Sequence, residues 1–234
     1  MIRRRSTYGL SLSLALLIVS LSAAAQPRLR APEMYLGAQG GVTASTILFS
    51  PAVSNMSNPF TNGVTLGGNA GLVFRYAGHK VCGLQVELNY MHRGWREHTD
   101  TATYQRHLHY LELPFLMHLY FGKRAVRGFV NLGPQIGVCL ADTASGPRIS
   151  GNTAKQYGSI DSRFDWGLAG GLGMYVRTRN AGVYQLELRA NYSLGSVFNT
   201  SPTDYYVRAN ALDVSLNIGW LWPLNRPKQI KFEN

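Results

Sequence analysis

Little in this chain of 234 residues favours a disordered or disulfide-built protein. Only 15% of its residues are charged, while 45% are hydrophobic and 11% are aromatic, which excludes a disordered chain. Two cysteines are too few for a disulfide scaffold. The chain also lacks several unbroken apolar runs of about 20 residues, so a helical membrane bundle is excluded.

The formal net charge of +11 raises the question of a nucleic-acid partner, because a basic surface attracts phosphate. Three of these charges lie at the N-terminus, in Arg3, Arg4 and Arg5. The others are spread through turns and both chain ends, with no run of Lys and Arg on one predicted helix. We therefore expect no nucleic-acid binding.

The first 25 residues have the pattern of an export signal. Arg3–Arg5 precede a short apolar stretch, Leu10–Leu21, and small residues follow up to Ala25. The alternative, an uncleaved membrane anchor, needs a longer apolar run to cross about 30 Å of hydrocarbon. The pattern predicts a signal peptide over residues 1–25 that is cleaved after Ala25, then an N-terminal segment over residues 26–33.

From Met34 onward, apolar and polar residues alternate with a period of two, which predicts strands. The eight segments are Met34–Ile47, Thr65–Tyr76, Val81–Trp95, His107–Phe121, Gly128–Leu140, Phe164–Arg177, Val183–Val197 and Arg208–Trp222. The connections after the second, fourth and sixth strands are short, whereas those over about 48–64, 96–106, 141–163 and 198–207 are longer. This arrangement predicts an all-β fold, an eight-stranded antiparallel up-and-down transmembrane β-barrel over residues 34–222, with a basic tail over 223–234.

The apolar face of such a barrel lies inside in a soluble ligand-binding protein and outside in a membrane protein. Strands of 12 to 15 residues are long enough to cross a bilayer. Aromatic residues also gather near both strand ends and predict two outer girdles. At the short turns these are Tyr35, Tyr76, Tyr120, Phe121, Phe129, Tyr175, Tyr184, Trp220 and Trp222, and at the other end Trp95, Tyr104, Tyr110, Phe164, Trp166 and Phe198.

With the apolar face outside, the alternate residues form a polar lumen. Its predicted network consists of Arg75, Gln85, Glu87, Asn89, Glu112, His118, Asp165, Glu187, Arg189 and Asp213. An eight-stranded barrel has room inside for little except side chains, so we expect ion pairs and amides rather than a wide pore. Because this alternation places Glu87 in the lumen and Val86 against lipid, we expect Glu87→Gln to be better tolerated than Val86→Arg.

Several strand motifs resemble the PorT-like outer-membrane β-barrel family. They are LGAQGG (36–41), LQVELNYMHRG (84–94), YLELPFLMHLYF (110–121), NLGPQIGV (131–138) and FDWGLAGGLGM (164–174). The resemblance covers nearly the whole exported chain and implies a bacterial outer-membrane barrel without assigned chemistry. Because the founding member is associated with protein export across the outer membrane, it also implies an accessory of protein secretion or envelope function, with secretion-system partners.

The last strand resembles the assembly signal of such barrels. Its matching residues are Asn217, Gly219, Trp222 and Leu224, although a proline and a basic tail follow. The resemblance implies that the barrel-assembly machinery recognises this end and that outer-membrane lipid surrounds the barrel.

Four histidines surround the third-to-fourth strand connection, namely His92, His98, His107 and His109. Their spacing matches no compact ligand motif, so we expect solvated loop histidines, with no metal and no cofactor. An alternative is an enzyme acting on lipid A, for which His92, His98, Asp100 and Ser159 are the candidate residues. No nucleophile elbow accompanies them, so we expect a protein that is not an enzyme.

Overall fold

The computed structural model describes residues 32–50, 61–79, 81–98, 103–122, 125–147, 160, 162–178, 181–195 and 208–225. The chain divides into two units, residues 1–31 and Pro32–Asn234, and every described residue belongs to the second. The predicted signal peptide, most of the N-terminal segment and the tail beyond Asn225 therefore lie outside the described residues.

Eight strands account for almost all of the described chain. They are β1 (Glu33–Ser50), β2 (Thr61–Ala77), β3 (Cys82–His98), β4 (Thr103–Phe121), β5 (Val126–Ser145), β6 (Phe164–Arg177), β7 (Val183–Ser193) and β8 (Arg208–Pro223). Each strand pairs with the next, and β1 also pairs antiparallel with β8. This closes the barrel and confirms the predicted all-β, eight-stranded antiparallel fold.

The connection between β3 and β4 differs from the sequence prediction. A long loop over 96–106 was expected, whereas only residues 99–102 separate the two strands. The pairing continues through Arg96↔Gln105 to His98↔Thr103. Polar residues stand on the outer face here, so the apolar alternation ends although the hydrogen-bonded ladder does not.

The two faces of the barrel differ sharply in chemistry. On β7, for example, Gln185, Glu187 and Arg189 are buried inside, while Leu186 and Leu188 are exposed outside. Such alternation is required of a strand whose faces meet different surroundings. In the described part of the chain, no helix is long and apolar enough to cross a membrane.

Glycines serve two purposes in this framework. Gly182, in the turn between β6 and β7, has a φ of 85°, which side chains rarely tolerate. Gly171 lies inside the barrel, where an added Cβ would come within 3.3 Å of Glu187 Cγ. The missing side chain therefore leaves room for the polar groups of the lumen.

Candidate functional site

The middle of the lumen is filled by an ion network that we call the central network, formed by Glu87, Glu187 and Arg189. Arg189 binds Glu87 through Nη1–Oε2 at 2.5 Å and Nη2–Oε1 at 2.7 Å. Its Nη2 also donates to Glu187 Oε2 at 2.7 Å. One guanidinium thus joins strands β3 and β7 across the lumen, and such charge-assisted bonds are among the strongest in proteins.

Amide side chains complete this network. Glu87 accepts further hydrogen bonds from Gln39 Nε2 at 2.7 Å, Gln85 Nε2 at 2.5 Å and Asn89 Nδ2 at 2.7 Å. Glu187 Oε1 accepts from Asn131 Nδ2 at 2.9 Å. The two carboxylates are therefore well satisfied despite their burial, as buried charges must be.

A second group of charges, the acidic cluster, lies farther from the short turns. Arg93 contacts Asp165 at 2.5 Å, and Glu112 and Asp213 at 3.1 Å each. Its guanidinium also lies 3.7 Å from the ring centroid of Tyr110. One cation faces three carboxylates, so this level of the lumen carries surplus negative charge.

Aromatic side chains fill the lumen at both ends, which corrects the girdle prediction. Tyr35, Tyr120, Phe129 and Tyr175 pack inside near the short turns, where an outer position was expected. At the opposite end, Trp95, Tyr104 and Tyr110 also pack inside.

The alternation of side chains along a strand explains this difference. Tyr120 is two residues from the inward-facing His118, and Phe129 is two residues from the inward-facing Asn131, so both rings face inward. The predicted girdle residues that do face outward are Tyr76, Phe121, Tyr184, Trp220 and Trp222 near the short turns, and Phe164 and Trp166 opposite them. Phe198 lies outside the described residues.

These layers seal the lumen. The side chains that cross its middle are almost free of solvent contact, with Glu87 1%, Glu187 0% and Arg189 4% exposed. Side chains fill the lumen at that level, so the described part of the barrel contains no open water-filled path through its middle. The arrangement can rigidify the wall and present charged ends, and it leaves no open path for solutes through the described part of the lumen.

All ten residues of the predicted polar network lie buried inside the barrel. Glu87, Glu187 and Arg189 share the central network with Gln85 and Asn89, while Glu112, Asp165 and Asp213 belong to the acidic cluster. Arg75 and His118 lie nearer the short turns. Sequence analysis therefore named members of several separate groups rather than of one site.

Arg93, the centre of the acidic cluster, was missed by sequence analysis. It continues the inward phase of Gln85, Glu87 and Asn89, and that parity could have identified it. Met91 interrupts the polar series, which hid the relationship. Gln39 and Asn131 also join the network from β1 and β5.

The four histidines lie in strands rather than in the expected loops. His92 Nε2 and His107 Nδ1 are 3.1 Å apart, and the His92 and His109 rings stack with centroids 4.9 Å apart. His98 contacts the Thr103 hydroxyl at 2.8 Å. No group of three or more potential ligands among the described residues is arranged to hold a metal ion.

The outer surface is strongly apolar around the whole barrel. Examples from separate strands are Leu66 at 77%, Leu172 at 62% and Ile218 at 67% exposure. Soluble proteins do not expose a continuous apolar belt of this kind, whereas a barrel in lipid requires one.

Comparison with known proteins identifies the family. The model of the outer membrane protein β-barrel domain matches residues 24–199. The chain belongs to this family. Its location is therefore the bacterial outer membrane, and the soluble ligand-binding alternative is wrong. No curated protein matches the chain.

Solved outer-membrane barrels are similar to this chain in fold. OprG from Pseudomonas aeruginosa is 15% identical with a TM-score of 0.47, covering 82% of this chain and 97% of OprG. Ail of Yersinia pestis is 13% identical with a TM-score of 0.42, covering 81% and 99%. Outer membrane protein W of E. coli is 14% identical with a TM-score of 0.40, covering 82% and 99%.

Family membership also orients the barrel. Outer-membrane barrels have short turns on the periplasmic side and longer loops outside. The connections after β2, β4 and β6 are four or five residues long, whereas at the other end those after β1, β5 and β7 are longer and only the one after β3 is as short. The end with the β2, β4 and β6 turns therefore faces the periplasm.

Proposed function

We propose that this protein is a non-enzymatic accessory of the outer membrane that acts through its surfaces on components of a protein secretion system. The sealed lumen carries this proposal, because a barrel that passes no solute must act through its wall, loops or periplasmic end. The PorT-like resemblance of its strand motifs supplies the secretion role.

The proposal includes a route to the membrane. The signal peptide directs export and is cleaved after Ala25, and the barrel-assembly machinery recognises the end of β8. Asn217, Gly219, Trp222 and Leu224 are the residues that we assign to this recognition. Trp222 is exposed on the outer side of β8 and Leu224 is exposed just beyond the end of that strand, which supports their availability to an assembly factor.

The test combines deletion with copurification. Cells lacking the protein should release fewer secreted proteins into the medium. Their resistance to detergents, which reports the integrity of the outer membrane, should not change. The tagged full chain, cross-linked and extracted from outer membranes in mild detergent, should carry secretion-system components. An unrelated outer-membrane barrel of similar abundance, tagged in the same way, is the control.

An unchanged set of secreted proteins in the deletion strain, together with the same copurifying proteins for both barrels, would refute the secretion role. Single-channel recording tests the sealed lumen separately. Stable conductance steps from the purified protein in planar bilayers would contradict a surface-only mode of action.

The alternative function, an enzyme acting on lipid A, is tested in the same strains. Of its candidate residues, Asp100 and Ser159 lie outside the described residues. In the described part, His92 contacts His107 and His98 contacts Thr103. Mass spectrometry of lipid A should give identical species with and without the protein, and a mass difference of one acyl chain would instead support the enzyme.

A further inference from the structure

The periplasmic end of the lumen contains a small cavity with an unusual charge balance. Its volume is about 20 Å³, which is room for one or two water-sized groups. Its charged lining residues are Arg75, Arg127, Arg177 and Glu33. Three guanidinium groups thus face one carboxylate.

The one carboxylate is already engaged. Glu33 Oε2 accepts from Arg177 Nη1 at 2.9 Å and from the Tyr35 hydroxyl at 2.6 Å. Arg127 lies against the Tyr120 ring, 5.9 Å from its centroid, and forms no ion pair with a described residue. The surplus positive charge therefore rests on Arg75 and Arg127.

Arg75 is the deeper of these two groups and is only 3% exposed. Its Nε donates to Gln85 Oε1 at 2.7 Å, and its Nη2 donates to Gln185 Oε1. Both acceptors are neutral amides, and Nη1 has no acceptor among the described residues. Arg93 and Arg189, the other buried arginines discussed above, each bind carboxylates.

The central network attracts the Arg75 guanidinium electrostatically but gives it no direct carboxylate contact. Its net charge is −1, but Arg189 lies between Glu87 and Glu187 and holds both. Gln85 separates Arg75 from Glu87 by bonding to each of them. Arg75 therefore lacks a direct carboxylate partner, which an anion reaching its Nη1 would provide.

We propose that this cavity takes one or two oxygens of an oxyanion, a carboxylate or a phosphate, while the rest of the anion lies at its periplasmic opening. Arg75 is the buried anchor, whose free Nη1 donates to the anion, and Arg127 attracts the anion at the rim. The Phe129 and Tyr175 rings flank the Arg75 guanidinium at 5.7 and 5.8 Å from its carbon. Because these rings cover part of the buried guanidinium, an ion pair formed here is stronger than one in bulk solvent.

Two sources carry this chemistry, free phosphate and the C-terminal carboxylate of a peptide. The full-length protein, purified from outer membranes in mild detergent, should be titrated calorimetrically with inorganic phosphate at constant ionic strength set by chloride. A parallel titration uses N-acetyl-Ala-Ala with a free carboxylate, and its C-terminal amide is the control ligand. Saturable binding of phosphate alone identifies the free anion, and tighter binding of the peptide acid than of phosphate identifies a chain terminus.

Variants tie the binding to the cavity. Arg75→Gln should weaken binding at least tenfold, and Arg127→Gln by a few fold. Glu33→Gln should tighten binding, because it releases Arg177 from its carboxylate. Arg96→Gln, at the opposite end and exposed, is the matched control and should bind as the wild type does.

Each variant is first checked for the folded barrel by its migration on a gel without boiling. If Arg75→Gln does not fold, the opposite effects of Arg127→Gln and Glu33→Gln decide the question. Absence of saturable binding by both oxyanions in the wild type, or equal affinities in all folded variants, would overturn the proposal.

Discussion

Arg189 and Glu87 face each other across the barrel lumen and share two hydrogen bonds, of 2.5 and 2.7 Å. The pair joins β7 to β3, two strands that are not neighbours in the sheet. It therefore braces the barrel across its width, whereas the backbone ladder holds it only around its circumference.

The first prediction concerns the Glu87 carboxylate. Glu87→Gln should destabilise the folded barrel by about 1 to 3 kcal/mol, because Arg189 keeps its ion pair with Glu187 while buried donors lose their acceptor. The new amide nitrogen would face only donors, and Gln85 cannot turn its oxygen toward that nitrogen without releasing Arg75. The denaturant midpoint for loss of heat-modifiable gel migration measures this change.

The same substitution at Glu33 provides the control. Glu33 forms its ion pair with an Arg177 side chain that is 36% exposed, so Glu33→Gln should cost about 1 kcal/mol or less. Equal midpoints for the two variants would show that the central network does not brace the barrel. The expectation that Glu87→Gln is better tolerated than Val86→Arg stays a prediction.

Strand parity explains how much the sequence could predict. Once Leu84, Val86 and Leu88 are placed outside, Gln85, Glu87 and Asn89 must lie inside, because the side-chain period of a strand is two. The number and order of strands follow from the same alternation, and the structure confirms both.

The grouping of lumen residues could not be predicted in this way. Arg93 meets Asp165 and Asp213 because β6 and β8 bring them to the same height, and that height depends on the stagger between strands. The periodicity of the sequence predicts which face of the sheet each residue lies on, but not its height along the barrel axis. The aromatic girdles failed differently, because grouping rings by position along the chain ignored the phase of Tyr120 and Phe129.

The second prediction tests the outer face. Val86 lies on the outer side of β3, paired across strands with Phe74 and Phe115. Val86→Arg should lower the amount of protein in the outer membrane, since an arginine facing lipid near the midplane costs about 2 to 4 kcal/mol. Immunoblots of fractionated membranes measure this amount.

Val81→Arg is the matched control, because Val81 precedes β3 in the periplasmic turn and is 55% exposed. It should accumulate as the wild type does, since an arginine there reaches water. A loss confined to Val81→Arg would place the lipid belt elsewhere on the barrel.

The third prediction tests the proposed assembly signal. Trp222→Ala should reduce the rate at which newly exported protein becomes heat-modifiable in pulse-chase experiments, because recognition of β8 is impaired. Tyr184→Ala is the control. Tyr184 lies at the periplasmic end of β7, and this aromatic side chain is exposed to a similar extent as Trp222. Equal slowing of both variants would indicate a general role of rim aromatics instead of a signal in β8.

The last prediction concerns the two cysteines. Cys82 begins β3 at the periplasmic end. It pairs with Leu119 on β4, and Leu119 pairs with Val130 on β5. Cys139 lies nine residues farther along β5 and is buried inside, so about 30 Å of strand separates the two levels. A disulfide needs Cα atoms within about 7 Å.

Both cysteines should therefore carry the alkyl label when the unreduced protein is denatured and alkylated before mass spectrometry. In the folded barrel, Cys82 should react first, because Cys139 is only 5% exposed and its thiol contacts the Ala141 carbonyl at 3.5 Å. A linked Cys82 and Cys139 peptide from the monomer would contradict the register of β3, β4 and β5. Faster labelling of Cys139 than of Cys82 would instead contradict the sealed lumen, since the reagent would have to reach the inner face of β5.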